Sequence, residues 1–313
     1  MTPTAGVQAL TSYHWLGIPI ALAGAVLLAL GTLFQHRAVE NQGPAPGRAA
    51  GSMGGGRLQA LLRKPVWLGG SAMLGAAVLL QLTSLRFSPL IVVQPIGAVA
   101  LVVTTLATAR MTNESPGRRS LTAVGLCVGG VGAFVAAAAA SAQDVGVSDR
   151  HLLTILTVLG VVLATMAAGF GLWRHRWGAV VFTGGAGVLF GFVAALAKTV
   201  IARLFQGDFE WLSLTCLAGL ILAALAGTFL VQNAHTRGTP DLVVAGLTVI
   251  DPLVAVTIGI TILGEADTAP PQAFIAFLLA GATAVAGVIL LATVKPAPET
   301  RPPERESPKP AER

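Results

Sequence analysis

From Trp15 to Val294 the chain alternates long apolar runs with short polar breaks. Windows of about 20 apolar residues, the length that crosses roughly 30 Å of hydrocarbon, fall at nine positions: 15–35, 66–85, 89–109, 119–140, 152–173, 178–202, 211–232, 240–263 and 272–294. The pattern predicts an all-α, polytopic membrane bundle of nine transmembrane helices.

Composition agrees: 54% of the 313 residues are hydrophobic and 11% charged, against about 25% charged in an ordinary soluble domain. The sequence pI near 10.1 could suggest a nucleic-acid partner. The basic residues, however, lie in short loops between apolar segments, where topology explains them better. With the N-terminus outside, sixteen of the twenty Lys and Arg fall on one side, in loops 36–65, 110–118 (with Arg119 adjacent) and 174–177, at Arg237, and in the tail from Lys295. The opposite loops hold Asp144, Asp149, Asp208, Glu210, Glu265 and Asp267. By the positive-inside rule this puts the N-terminus outside and the C-terminus in the cytoplasm; the cytoplasmic membrane is the expected location.

The first span is too long for a signal-peptide core and lacks a clear cleavage site, so it reads as a retained helix. Cys127 and Cys216 lie inside spans without a CxxC pair, as small buried residues. Residues 43–56, GPAPGRAAGSMGGG, and the Pro-rich charged tail 295–313 read as solvated tethers.

The chain resembles itself. GAVLLALGTLFQ (24–35) lies without gaps on GVLFGFVAALAK (187–198). LRFSPLIVVQPIGAV (85–99) parallels HTRGTPDLVVAGLTVIDPLVAV (235–256), with six more residues between the prolines of the second copy. Both copies reach a Glu, Glu114 and Glu265, and continue into a Gly/Ala-rich helix. Spans 1–4 (residues 1–140, with the inside loop 40–65) thus repeat as spans 6–9 (178–294), and span 5 (141–177) connects them. Five crossings separate the copies, an odd number, so they are inverted. Inverted repeats are common in secondary transporters, whose substrate sites lie near the midplane between the halves.

Polar residues within spans are few, and each must be met by a partner or by water. Asp251 lies about halfway along the eighth span; Pro252 behind it frees a carbonyl and is expected to open the helix where an ion or substrate could bind. The bland alternative is a protonated Asp that only fixes packing. Lys198, in the sixth span, either snorkels to the interface, as Arg203 is expected to do, or faces the cavity and pairs with Asp251 or an anionic substrate. Gln94, before Pro95, is the first-repeat counterpart of Asp251, and Gln35 that of Lys198. Gln81, Gln232 and Asn233 lie late in the second and seventh spans. Such amides either join helices, at about 1 kcal/mol per hydrogen bond, or line a shared cavity. The five His lie near span ends and read as solvated.

The glycine-rich pieces 125–133 and 184–191 lack the strand and the Lys-Ser/Thr of a phosphate loop, and small residues at helix-packing spacing explain them. No HExxH and no GxSxG motif appears. The reading is therefore of a non-enzyme without a cofactor, partnered by the bilayer and by a small molecule or ion, with a homodimer compatible.

With a proline in the third span of each half, and with DPLVAVTIGITILGE (251–265) ending at a Glu, the chain resembles the drug/metabolite transporter superfamily with its EamA-type repeats. VVQPIGAVALVVTTLATARMTNE (92–114), nine spans and an outside N-terminus are similar to its NIPA-type magnesium transporters. The resemblance implies alternating access around a central cavity lined by the first and third spans and their second-half counterparts. It leaves the cargo open. A metabolite, amine or drug-like compound exchanged against protons or ions is one reading, and a magnesium permease another, although Mg²⁺ favours one or two carboxylates with retained waters and one midplane carboxylate is visible. A scaffold or regulatory subunit on a transporter-like fold is the third.

Overall fold

A computed structural model describes residues 14–40, 64–111, 117–143, 145–173, 176–207, 210–238 and 240–293. The 43–56 and 295–313 tethers, Glu114, Asp144, Arg174, His175 and Asp208 lie outside the described residues. Among those described, nine helices are long and apolar enough to cross a membrane, and no strand occurs. The chain is an all-α, multi-pass membrane protein. Its spans are α1 (Gly17–Glu40), α2 (Pro65–Phe87), α3 in two pieces, α3a (Leu90–Ile96) and α3b (Val99–Met111), α4 (Arg118–Ser141), α5 (Asp149–Trp173), α6 (Ala179–Gln206), α7 (Trp211–His235), α8 (Pro240–Thr261) and α9 (Pro271–Thr293).

The two intraspan prolines behave differently. Pro95 ends α3a within two residues, and the backbone passes the break through tightened bonds, Gly97 N–H to Gln94 O and Ala98 N–H to Pro95 O. Pro252 lies inside an unbroken α8, so the expected opening of the eighth span does not occur. Composition accounts for the contrast. Gly97 follows Pro95 closely and weakens the helix where a hydrogen bond is already missing. Pro252 is followed by Leu253, Val254 and Ala255, and its helix lies tightly against α6.

That contact is made by small residues. A methyl group placed on Gly187 would lie 2.7 Å from Ile250 Cβ, and one on Gly191 2.6 Å from Val254 Cβ and 3.0 Å from Asp251 O. The four-residue spacing puts both glycines on one face of α6. In the same way a methyl on Gly130 would lie 2.4 Å from Ala284 N, and one on Gly287 2.4 Å from Cys127 N, bringing the backbones of α4 and α9 together. Lipid tails are as apolar as the helix faces, so packing of this kind, more than hydrophobic burial, holds such helices together. The most extensive pairings are α1 with α2, α4 with α9, α6 with α7 and α6 with α8. The largest buried apolar cluster centres on α6, where Phe182, Leu189, Phe192 and Leu196 belong to one cluster with Leu85, Leu90 and Val93 of the first half.

Candidate functional site: a cavity at Asp251 and a buried clasp beside it

Asp251 sits where α8 passes Gly191 of α6, about midway along its helix. It lines a cavity of about 390 Å³ walled by α1 (Gly24, Ala25, Leu28), α2 (Ala77, Val78, Gln81), α3 (Gln94, Gly97, Ala98), α6 (Phe190) and α8 (Leu247, Thr248, Asp251, Pro252). The Asp251 Oδ1 atom is buried without a hydrogen-bond partner. Pro252 has no N–H, which leaves the carbonyl of Thr248, four residues back, without its helical donor. Thr248 lines the same cavity. The residues bearing one carboxyl, two amides and this under-used carbonyl thus line a space large enough for several waters or a small solute.

Of the candidates read from the sequence, Asp251, Gln94, Gln81 and Pro252 come together here. Pro95 instead lines a smaller apolar pocket of about 60 Å³ on the far side of Pro252, with Val131, Phe134 and Val249. The remaining candidates lie elsewhere. Gln35 donates from Nε2 to Ser71 Oγ at 2.9 Å and joins α1 to α2. Gln232 is exposed, and Asn233 Nδ2 donates back to Phe229 O at 2.8 Å within its own helix. No group of three His, Cys, Asp or Glu among the described residues gathers as a metal site.

Lys198 takes neither of the roles expected of it. It is 3% exposed, so it does not reach the interface, and it does not line the Asp251 cavity. Its Nζ donates to Leu85 O at 2.9 Å and Ser88 O at 3.0 Å, at the C-terminal end of α2. Free carbonyls and the negative end of the helix dipole make that end a cation site. Arg203 does not snorkel either. It is buried and pairs through Nη2 with Asp149 Oδ1, tying α6 to the start of α5.

Glu265, expected as a loop acid, is 1% exposed. The helix α8 ends at Thr261, and Gly264 adopts φ +70, the left-handed conformation in which glycine is unstrained. This turns the next residue back toward the bundle, and Glu265 N–H bonds Gly259 O at 3.0 Å. Its carboxylate accepts Leu90 N–H on Oε1 at 2.7 Å and Ile91 N–H on Oε2 at 2.8 Å. These are first-turn donors of α3a, which have no partners inside the helix. Lys198 and Glu265, both from the second half of the chain, therefore hold the two helix ends that meet at Ser88–Pro89 in the first half, each with the charge its helix end favours. The sequence signal for this clasp is faint: a Gly-Glu pair closing an apolar helix, and a Ser-Pro step between two others.

No family model matches the chain, and no solved structure matches it. An uncharacterised protein of Corynebacterium glutamicum (strain ATCC 13032) is 28% identical over 253 residues, covering 80% of this chain and 85% of that protein. The likeness runs through most of both chains.

Proposed function

We propose that the protein is a secondary transporter that moves a small molecule across the cytoplasmic membrane by alternating access, with Asp251 as the carboxyl that binds the cargo or a coupling cation. One observation carries the reading: a carboxyl oxygen without a hydrogen-bond partner lies buried in the wall of a 390 Å³ cavity in mid-bundle. A charge there is costly in hydrocarbon, and intramembrane carboxyls of this kind mark substrate or ion pathways. A carboxyl kept for packing would be expected to hold a neighbouring helix.

The arrangement of the halves supports it. If spans 1–4 and 6–9 are inverted copies, the pairing of α1 with α2 corresponds to that of α6 with α7. The contact of α1 with α3 corresponds to that of α6 with α8, and α4–α9 maps on itself; all of these pairings occur. The cavity draws its walls from both halves, as the proposed rocking requires. In this reading the N-terminus is outside and the C-terminus cytoplasmic, as the basic loops indicate.

The test is a thermal-shift screen of the purified full-length protein against amino acids, primary and quaternary amines, nucleosides, sugars and Mg²⁺, followed by flux in proteoliposomes. A ligand that binds only the folded state raises its apparent stability. The expected result is a cationic or zwitterionic ligand whose shift and flux are both lost in Asp251→Asn. A ligand that is transported equally well by Asp251→Asn would refute the role of this carboxyl.

A further inference from the structure

We infer that Lys198 and Glu265 form the gate that closes the Asp251 cavity at the end of the bundle where α2 meets α3a. The inference rests on the transport reading of the cavity, and concerns how cargo reaches it.

Three observations combine. The first is the place of the clasp. Between Gln81, on the cavity wall, and Leu85, whose carbonyl Lys198 holds, lies one turn of α2. Between Gln94, also on the wall, and Leu90, whose N–H Glu265 holds, lies one turn of α3a. The second is what lies beyond it. A second cavity of about 300 Å³, lined by Leu85, Arg86, Val145, Lys198, Phe205 and Gln206, adjoins the clasp on the side away from Asp251. Lys198 is among the residues that line it, so its side chain has a polar space beside it to enter when the ammonium leaves the α2 carbonyls. The third is the piece it holds. The helix α3a is only seven residues long, Leu90–Ile96, set off by Ser88–Pro89 at one end and by the Pro95–Gly97 break at the other. Gln94 projects into the cavity from the same short helix whose first two N–H groups rest on Glu265.

These parts make a mechanical connection. Both holding groups belong to the second half and both held ends to the first, so relative motion of the halves must break the clasp. Its bonds are charge-assisted and buried, strong while intact. They are also replaceable by water once the second cavity and the first join, which makes the closed and open arrangements two discrete states. Cargo contacting Gln94 shifts α3a, and α3a carries Leu90 and Ile91 with it. Binding and gating are then linked through one rigid half-helix.

The test uses single cysteine reporters in the full chain and a membrane-impermeant thiol reagent, applied to vesicles of each orientation; it needs no knowledge of the cargo. Ala202→Cys marks the second cavity and Thr248→Cys the Asp251 cavity. The protein without a reporter gives the background from the buried Cys127 and Cys216. From the side on which Ala202→Cys labels readily, Thr248→Cys is expected to label at least tenfold more slowly. Adding Lys198→Met or Glu265→Gln is expected to raise its labelling from that side at least tenfold, whereas Lys198→Arg, which keeps charge and donors, restores slow labelling. Equal labelling of the two reporters from that side overturns the gate, and so does a folded Lys198→Met whose Thr248→Cys labelling is unchanged. Should the clasp variants not fold, the comparison of the two reporters on either side of an intact clasp still decides. A closed gate without any cargo found would leave the gate standing and the transport reading in question; transport through an unguarded cavity would do the reverse.

Discussion

The carboxylate of Glu265 receives the main-chain N–H of Leu90 at 2.7 Å, across 175 residues of sequence. Its other oxygen receives Ile91. Glu265→Ala would leave two buried donors without an acceptor, at roughly 1–3 kcal/mol each. The expected outcome is a clear fall in the melting temperature of the detergent-solubilised protein. Glu265→Gln keeps one acceptor oxygen and should melt between that variant and the parent.

Asp251 invites the opposite experiment. Its Oδ1 makes no hydrogen bond, and burial of an unsatisfied polar group costs free energy. Asp251→Leu is therefore expected to melt at or above the parent temperature while losing every ligand-induced shift. A strongly destabilised Asp251→Leu would mean that this carboxyl holds the fold together.

The helix pair α4–α9 supplies a controlled test of packing. A methyl on Gly130 meets the backbone nitrogen of Ala284 at 2.4 Å, whereas one on Gly129 meets nothing within 4 Å. Gly130→Leu must force the two backbones apart, at a cost of several kcal/mol for so large an insertion. Gly129→Leu adds a side chain to an exposed face and should leave the melting temperature within about a degree of the parent. Thermal unfolding of the two variants side by side checks this.

The amides divide in the same way. Gln81 and Gln94 line the Asp251 cavity, and Gln232 and Asn233 do not. Where a screen yields a ligand, Gln81→Ala and Gln94→Ala are each expected to weaken it about fivefold, the equivalent of one hydrogen bond of about 1 kcal/mol. Gln232→Ala and Asn233→Ala should bind it as the parent does. Titration of the thermal shift gives all four affinities.

Much of this was legible in the residue order. Nine apolar windows became nine spans among the described residues, within a few residues of the expected bounds, because a helix is the only open-ended structure that satisfies its own backbone in hydrocarbon. Asp251 stood out for a related reason: a lone carboxyl in such a run is too costly to be incidental. The packing face of α6 was readable from the spacing of Gly187 and Gly191, whereas in α4 Gly130 packs and Gly125 and Gly129, at the same spacing, meet nothing within 4 Å. What sequence could not distinguish was which polar side chains share a space. Lys198, Gln35, Gln232 and Asn233 carried the same signal as Gln81 and Gln94, a polar residue within or near the end of an apolar span.

Length, composition and the placement of apolar and basic residues thus determined that this chain is a helical membrane protein, because the bilayer tests each segment separately. Tertiary structure alone decided that Asp251 opens on a cavity while Lys198 turns to the end of α2, that Pro95 breaks its helix while Pro252 does not, and that Glu265 lies buried against Leu90. Each of those outcomes depends on which neighbour arrives. A charged side chain in a low-dielectric interior goes where an opposite charge, a helix end or water can meet it, and those partners are brought by helices far away along the chain.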